Sequence, residues 1–243
     1  MIAVGRAYCR LVAYLGGLVV VVGAAIALTR RRFSRTIDDA RSTVERDASR
    51  VATSPFEPAD VADLPPPARR YLETVLEPGQ AHVEHVRLAQ RGDFRLGDAG
   101  APWRPFKATQ TYSVAPPGYV WDAEIRLAPL VTARVLDAYV AGEGRLRAAL
   151  FGAVPVASAG PDAAMNEAEL QRYLSETPWF PTALLPAAGV TWEAVDDERA
   201  RATITDGDVT ASAVFHVDAD GHLTRLTADR YRQDVGDVAA WTG

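Results

Sequence analysis

Residues 119–127 have the sequence YVWDAEIRL, in which apolar and charged side chains alternate from Trp121 onward. The apolar set is Tyr119, Trp121, Ala123, Ile125 and Leu127, and the charged set is Asp122, Glu124 and Arg126. Successive side chains of a β-strand point to opposite faces, so the two sets separate onto the two faces of one strand. The stretch therefore predicts an antiparallel strand with one buried face.

The same alternation recurs on both sides of this stretch. The predicted strands span residues 83–96, 106–114, 119–127, 131–141 and 144–151 in a first block, and 190–195, 199–205, 209–218 and 222–231 in a second. In the second block, Asp206-Gly207 and Asp220-Gly221 are strong hairpin signals. The pattern predicts an α+β fold with a large curved antiparallel β-sheet, half-barrel-like in form, rather than a Rossmann or barrel α/β fold.

One or two helices are expected to pack on this sheet. Residues 64–76 begin with Leu-Pro-Pro-Pro and continue with apolar residues at helical spacing, and proline is tolerated in a first helical turn. In the second helix Asn166 is predicted as the N-cap, with Glu169 completing a capping box and Glu167 favouring the helix dipole. This helix ends before residues 178–181, PWFP.

The N-terminal region predicts a membrane anchor. Residues 11–28 are uncharged and apolar, and Arg30, Arg31 and Arg32 follow them. A run of ~18 apolar residues nearly crosses a hydrocarbon core, and the arginines resemble a stop-transfer signal more than the end of a cleaved signal peptide. We expect a single-pass protein of the cell membrane. Charge bias favours a cytoplasmic position for the following domain, and the side remains open.

Three regions are predicted along the chain. Residues 1–33 form the transmembrane anchor, 34–63 a stalk helix and linker, and 64–243 the antiparallel β-rich domain. In the stalk, Ile37, Val44 and Val51 recur every seven residues, which is typical of a solvated stalk or a weak self-association seam. The segment from Ala52 to Asp63 contains Pro55 and Pro58 and is predicted to be a linker.

Composition excludes several classes of function. A formal net charge of −5 argues against a nucleic-acid partner. Cys9 is the only cysteine and lies in the N-terminal region, so the domain has no disulfide, thiol nucleophile or cysteine metal site. The sequence has no G-x-S-x-G nucleophile elbow and no phosphate-binding loop around Lys107, its only lysine. No cofactor is expected.

The histidines do not predict a metal site. His82 and His85 are three residues apart on a predicted strand, which places their imidazoles on opposite faces. The paired carboxylates of Asp122 and Glu124 are expected to balance neighbouring arginines rather than to catalyse proton transfer.

Polar residues on apolar strand faces are the candidate ligand-binding residues. Gln90, Gln110 and Asp137 fall in register with core-facing neighbours, and Asp137 lies between Val135 and Tyr139. A buried carboxylate needs a partner, so Asp137 either pairs with an arginine or lies at a pocket. The predicted ligand-binding set is Gln90, Gln110, Trp121, Asp137, Tyr139, Trp179 and Phe180. In this set Trp179 and Phe180 form either a lid or a hydrophobic plug.

Several short motifs resemble a known family. They are LPPPARRYL at 64–72, WRPF at 103–106, GYVWD at 118–122, DAY at 137–139 and WFPTALL at 179–185. Together they resemble an uncharacterised bacterial, often actinobacterial, domain-of-unknown-function family, over residues 64–233. The resemblance implies no activity. Members of that family continue past a Trp-x-Gly stretch like residues 241–243, so we expect an unpaired C-terminal sheet edge that favours self-association.

Three functional hypotheses follow. The favoured one is a non-catalytic, membrane-anchored binding module for a lipid or other apolar ligand, since the predicted sheet is architecturally similar to lipoprotein-carrier half-barrels. The second is a hydrolase or isomerase that uses Asp137 with Tyr139 or an arginine. The third is a structural or assembly component of the cell envelope, which associates through the stalk or the C-terminal sheet edge.

Overall fold

The structure is a computed structural model that describes residues 2–48, 51, 54–95, 100–232 and 237–242. At residues 2–15, 18, 19, 230–232, 237–239 and 241 it describes the backbone alone. The described helices are α1 (Ile2–Asp47), α2 (Pro66–Val75) and α3 (Ala163–Glu176). The described strands are β1 (His85–Arg95), β2 (Trp103–Ser113), β3 (Gly118–Ala128), β4 (Val131–Val140), β5 (Glu143–Leu150), β6 (Val154–Ala159), β7 (Val190–Ala194), β8 (Arg199–Asp206), β9 (Val209–Val217), β10 (Leu223–Arg232) and β11 (Asp237–Thr242).

The strands form two antiparallel sheets instead of the single large sheet that the sequence pattern predicts. Strands β1 to β6 make the first sheet in chain order, and β7 to β11 make the second. The α+β class, the antiparallel pairing and the two packing helices are confirmed. The prediction of one sheet is wrong because α3 separates the two blocks of strands and contacts both of them.

Each predicted strand is present, and β6 and β11 are additional. Strand β6 has the sequence VPVASA, with Pro155 and small side chains in place of alternating apolar and charged ones. Proline cannot donate a ladder hydrogen bond and is tolerated at a sheet edge, where β6 lies. Strand β11 is also an edge strand, and its sequence DVAAWT lacks a clear alternation. These two edge strands lack a regular alternation of apolar and charged residues, so the sequence pattern does not predict them.

The hairpin predicted at Asp206-Gly207 joins β8 to β9. Asp206 pairs with Val209 across the turn, and Gly207 has a φ of +58°. Gly221, in the second predicted turn, has a φ of +86°. Glycine adopts these left-handed conformations without the steric cost that a Cβ atom brings, so both hairpin predictions are confirmed.

Helix α3 contacts both sheets. On one side, the buried Gln171 donates hydrogen bonds from Nε2 to the backbone oxygens of Ser212 (3.1 Å) and Asp229 (3.0 Å) in the second sheet. On the other side, Glu169 and Arg172 contact side chains of the first sheet. The helix thus holds the two sheets around one core.

The N-cap of α3 is Asp162, and the prediction of Asn166 is wrong. Asp162 has extended backbone geometry, and its Oδ1 accepts from the backbone N–H of Met165 at 2.9 Å. An extended residue with a short acceptor side chain satisfies a free N–H of the first turn. Asn166 lies inside the helix, and its Oδ1 accepts from the backbone N–H of Gly144 at 2.8 Å. It therefore ties the helix to β5.

Helix α1 packs on the first sheet, and the expectation of a solvated stalk is wrong. Ile37 and Val44 are buried, and they form an apolar cluster with outward-facing side chains of β3 and β4. The sheet members of this cluster are Val120, Leu136, Ala138 and Val140. Because β4 carries apolar side chains on both faces, those on its outer face need a cover, and the heptad-spaced residues of α1 provide it.

Polar contacts fix the position of α1 on this outer face. Arg134 forms two hydrogen bonds with Asp122, from Nε to Oδ1 and from Nη2 to Oδ2, each 3.0 Å long. Its Nη1 also donates to Ser34 Oγ at 2.7 Å, and Arg41 of α1 donates to Asp122 Oδ2 at 3.4 Å. The expected balancing of Asp122 by arginines is confirmed.

Part of the predicted linker belongs to the core. Phe56 and Val61 are buried in the same cluster as residues of both sheets. The backbone of Phe56 exchanges two hydrogen bonds of 2.8 Å with Gln80 and Gly79. Residues 52 and 53 of the linker prediction lie outside the described residues.

The apolar run at 11–28 lies within α1. Its residues 11–15, 18 and 19 fall outside the side chains that the structure describes. Over the residues that are described, none of the helices combines the length and the apolar character needed to span a bilayer.

Replacing Ile37 by Ala should lower the free energy of unfolding by about 2–4 kcal/mol, because it opens a cavity between α1 and the first sheet. Asp39→Ala, at an exposed position of the same helix, is the control and should have little effect. Urea unfolding of the full chain in mild detergent, followed by circular dichroism, measures both. Equal stability of the two variants would show that α1 is not part of the folded domain.

Candidate functional site

A cavity of about 570 Å³ lies between the first sheet and α3. Most of its lining side chains are apolar, and the polar ones come mainly from α3. The lining residues are Phe94, Trp121, Ile125, Val135, Asp137, Leu146, Ala148, Ala157, Arg172, Ser175, Glu176 and Trp179. Cavities of this size and composition are typical of small-molecule sites.

The apolar wall of the cavity is built by alternate residues of neighbouring strands. The rings of Phe94, Phe106 and Trp121 form a triangle in which each pair of centroids is 6.1 Å apart. Val135 pairs with Ala148, and Ala148 pairs with Ala157, so small side chains continue this face across β4, β5 and β6. The small residues leave the space that the aromatic rings border.

The rim of the cavity is accessible to solvent. Trp179 is 55% exposed, Ala157 is exposed and Phe94 is partly buried. Apolar side chains exposed around a concave space mark a binding surface more often than isolated exposed ones do.

Arg172 lies at the polar end of the cavity and pairs with two carboxylates. Its Nη1 donates to Asp137 Oδ2 of β4, and its Nε donates to Glu176 Oε1 at 3.0 Å. The side chains of all three residues are largely buried, at 11–18% exposure. The guanidinium also lies 5.1 Å from the ring centroid of Tyr119 and 5.3 Å from that of Trp121. The predicted pairing of Asp137 with an arginine is therefore correct, and Asp137 also borders a cavity.

A chain of hydrogen bonds extends from Glu176 into the first sheet. Glu176 Oε2 accepts from Gln110 Nε2 at 2.7 Å and from the hydroxyl of Tyr112 at 2.8 Å. Gln90 Nε2 donates to Gln110 Oε1 at 3.1 Å, and Gln90 Oε1 accepts from Trp121 Nε1 at 2.7 Å. Buried polar groups are stable when they are paired in this way, and such a network holds its side chains in one arrangement.

The tyrosines beside the network remain protonated. Burial raises the pKa of the Tyr112 hydroxyl, and the neighbouring Glu176 carboxylate raises it further. Burial also raises the pKa of Tyr119, together with the charges of Asp137 and Glu169, and the Tyr119 hydroxyl donates to Glu169 Oε2. Glu169 is therefore buried against the sheet instead of acting in a capping box, and that prediction is wrong.

Two glycines allow α3 to approach β5 closely. A Cβ atom on Gly144 would lie 2.4 Å from the backbone oxygen of Met165, in the first turn of α3. A Cβ atom on Gly160 would lie 2.2 Å from the oxygen of Gly144. Any larger residue at either position would displace the helix, and with it Arg172 and the polar end of the cavity.

The structure brings five of the seven candidate residues together. Trp121, Asp137 and Trp179 line the cavity, while Gln90 and Gln110 lie behind its wall in the hydrogen-bond network.

The other two candidates lie outside the cavity. The hydroxyl of Tyr139 donates to Asp206 Oδ2 of the second sheet at 3.0 Å. Phe180 is buried with its ring centroid 4.8 Å from that of Tyr112, so it acts as the hydrophobic plug, and of these two aromatic residues only Trp179 lies at the rim.

Sequence reasoning missed Arg172 and Glu176. They are spaced i, i+4 on α3, a spacing that places both on one helix face. On an exposed helix this pair is a common surface feature, so its spacing alone does not indicate burial.

The described part of the chain contains one group of potential metal ligands, Asp218, Asp220 and His222, in the turn between β9 and β10. Asp218 Oδ1 accepts backbone hydrogen bonds from Asp220 and His222 at 3.1 and 2.8 Å. These hydrogen bonds shape the turn, and they explain why the three side chains lie close together.

The fold and the cavity define an α+β domain of two antiparallel sheets with an open apolar pocket beside a central helix. The sequence model of DUF6544, a family of unknown function, matches residues 54–243, and the chain belongs to this family. The resemblance to an uncharacterised domain family is thereby confirmed. The match begins before Leu64, in agreement with the burial of Phe56 and Val61 in the core. Neither the curated proteins nor the solved structures contain a match.

Replacing Arg172 by Ala should lower the free energy of unfolding by about 3–5 kcal/mol, because two largely buried carboxylates lose their cation. Arg199→Ala, which breaks an exposed ion pair with Asp196, should change stability little. Urea unfolding at neutral pH, followed by circular dichroism, compares the two variants with the wild type. Equal stability of the two variants would contradict the charge-pairing role of Arg172.

The buried tyrosines should make the fold sensitive to alkaline pH. Burial raises the pKa of Tyr71 from 10.0 to about 12, and it raises those of Tyr112, Tyr119, Tyr139 and Tyr173 as well. Because the unfolded tyrosines ionise near 10.0 and the folded ones do not, this contribution to stability is complete below that pH and is lost as the pH rises above it.

Circular dichroism and tyrosinate absorbance, recorded together during an alkaline titration, measure this effect. We expect the tyrosines that the fold buries to ionise together with unfolding. Ionisation of all tyrosines near their ordinary pKa in a folded chain would contradict the burial.

Proposed function

We propose that this protein is a membrane-tethered binding module that holds an apolar molecule in the cavity between the first sheet and α3. The single observation that carries the proposal is the open apolar cavity with a paired polar cluster at one end. A filled core would have placed large side chains where Ala148 and Ala157 leave space.

The polar end of the cavity favours one kind of ligand. Asp137 and Glu176 contribute two carboxylates and Arg172 contributes one guanidinium, so negative charge is in excess. A hydroxyl or ammonium group of the ligand would donate to these carboxylates, whereas a carboxylate or phosphate group would be repelled. The ligand we propose is a lipid or other apolar molecule with a hydrogen-bond-donating end.

The tether that we propose is the N-terminal part of α1. Its residues 11–28 carry no charge, and Val20, Val21 and Ile26 are exposed at 70%, 66% and 43%. Apolar side chains that face solvent along a helix favour insertion into a lipid phase. Because the same helix continues without interruption to Asp47 and packs on the first sheet, insertion would hold the domain at the membrane.

A second candidate function is that of a hydrolase or isomerase using Asp137. The position of Asp137 at the cavity wall supports it. The ion pair with Arg172 supports the binding module instead, because it stabilises the ionised carboxylate and occupies one of its oxygens. An assembly role through the stalk has less support, since Ile37 and Val44 are buried against the sheet.

Native mass spectrometry of the full chain, released from mild detergent, tests the binding proposal. We expect a retained apolar molecule at unit stoichiometry, which organic extraction then identifies. Ala157→Trp should abolish retention, because the indole would fill the cavity from its rim. Ser158→Trp is the matched control, since the next residue of β6 points to the opposite face. An empty wild-type chain, or equal retention by both variants, would overturn the proposal.

A further inference from the structure

Large apolar side chains are exposed at one end of the first sheet. The end of β1 and the start of β2 lie at this end, as do the β3–β4 and β5–β6 connections, because the six strands run antiparallel in chain order. Trp103, the first residue of β2, is 58% exposed here, Leu130 94%, Phe151 46% and Val154 51%. We call these four residues the hairpin end.

Two of these residues occupy turn positions that normally favour other residue types. Leu130 has a φ of +65° and Phe151 a φ of +54°, in the left-handed region that glycine and asparagine adopt most readily. At Leu130 and Phe151, a large apolar side chain is therefore exposed to solvent on a backbone conformation that is unfavourable for it. At the opposite end of β4, the corresponding left-handed residue is Ala141, whose side chain is a single methyl group.

Helix α1 leaves the sheet at this same end. Its contacts run along the strands in order. Val44 lies beside Gly118 at the far end, Ser34 contacts Arg134, and Arg30 lies against Gly152 in the β5–β6 connection. Residues before Arg30 therefore continue past the hairpin end, and they include the exposed apolar part of the helix.

Cationic side chains lie between the apolar part of α1 and its docked part. Arg30, Arg31, Arg32 and Arg35 are exposed and follow the apolar run directly. At the hairpin end, the guanidinium of Arg95 lies 4.2 Å from the ring centroid of Trp103. Tryptophan and arginine together are typical of the level at which a protein meets lipid headgroups, and an anionic surface attracts each arginine that lies near it.

We propose that the hairpin end docks onto the surface of an anionic lipid bilayer, so that Trp103, Leu130 and Phe151 enter its interfacial layer. This inference rests on the proposed tether and adds a second, lateral contact to it. Phe94 of the cavity rim lies one residue before the end of β1, at the same end of the sheet. The docked domain therefore presents its apolar rim close to the lipid that would supply its ligand.

Site-specific fluorescence on the full chain tests this docking. In a Cys9→Ser background, which removes the only native cysteine, the variants Leu130→Cys and Ala141→Cys are labelled with the polarity-sensitive dye nitrobenzoxadiazole. The two positions are matched, because both are exposed left-handed turn residues at opposite ends of β4. The labelled chains are reconstituted into vesicles of phosphatidylcholine and phosphatidylglycerol, with and without doxyl-labelled lipid.

We expect the dye at position 130 to show blue-shifted emission and several-fold stronger quenching by doxyl lipid than the dye at position 141. Solvent-like, unquenched emission at both positions in chains that float with the vesicles would overturn the docking and leave the tether intact. Chains that do not float with the vesicles at all would overturn the tether and the docking together. Equal quenching at both positions would also overturn the docking, since it would show that neither end of the sheet lies closer to the bilayer than the other.

Discussion

The first sheet has to bury apolar side chains on both of its faces, and the remainder of the structure follows from this constraint. Strand β4 shows it most clearly, because Val135 and Tyr139 face α3 while Leu136 and Ala138 face α1. Each helix brings an arginine-carboxylate contact to the face it covers. Arg41 of α1 bonds to Asp122 on the outer face, and Arg172 of α3 bonds to Asp137 on the inner face. Apolar burial supplies the stability, and these pairs fix the positions of the helices.

The network around Arg172 also explains why the cavity persists. If the polar groups near Trp121 lacked partners, the wall would rearrange until they found them, because an unsatisfied buried group costs more than a net hydrogen bond gains. Within the wall, Gln90 instead donates a hydrogen bond to Gln110, and both Gln110 and Tyr112 donate to Glu176. The apolar side of the cavity is thus supported by a hydrogen-bond network whose members are paired within the protein, without a ligand.

Much of this arrangement could be predicted from the sequence. Alternation over β3 and β4 predicted which residues face the core, and it identified Asp137 as a core-facing carboxylate that either pairs with an arginine or lies at a pocket. The identity of that arginine could not be predicted, because Arg172 lies 35 residues away on a helix whose placement depends on close packing at Gly144. The packing of α1 on the first sheet could have been predicted from the sequence of β4. Residues 135–140, VLDAYV, carry apolar side chains on both strand faces, and such strands are covered on both sides.

Trp121 and Trp179 stand on either side of the cavity, one in its wall and one at its rim. The indole of Trp121 lies over a guanidinium and donates to a glutamine, whereas Trp179 is more than half exposed to water. Indole emission depends on the polarity around the ring, and the chain holds only five tryptophans. The native protein therefore carries an intrinsic optical reporter of whether its cavity contains water or an apolar guest, without any dye or label.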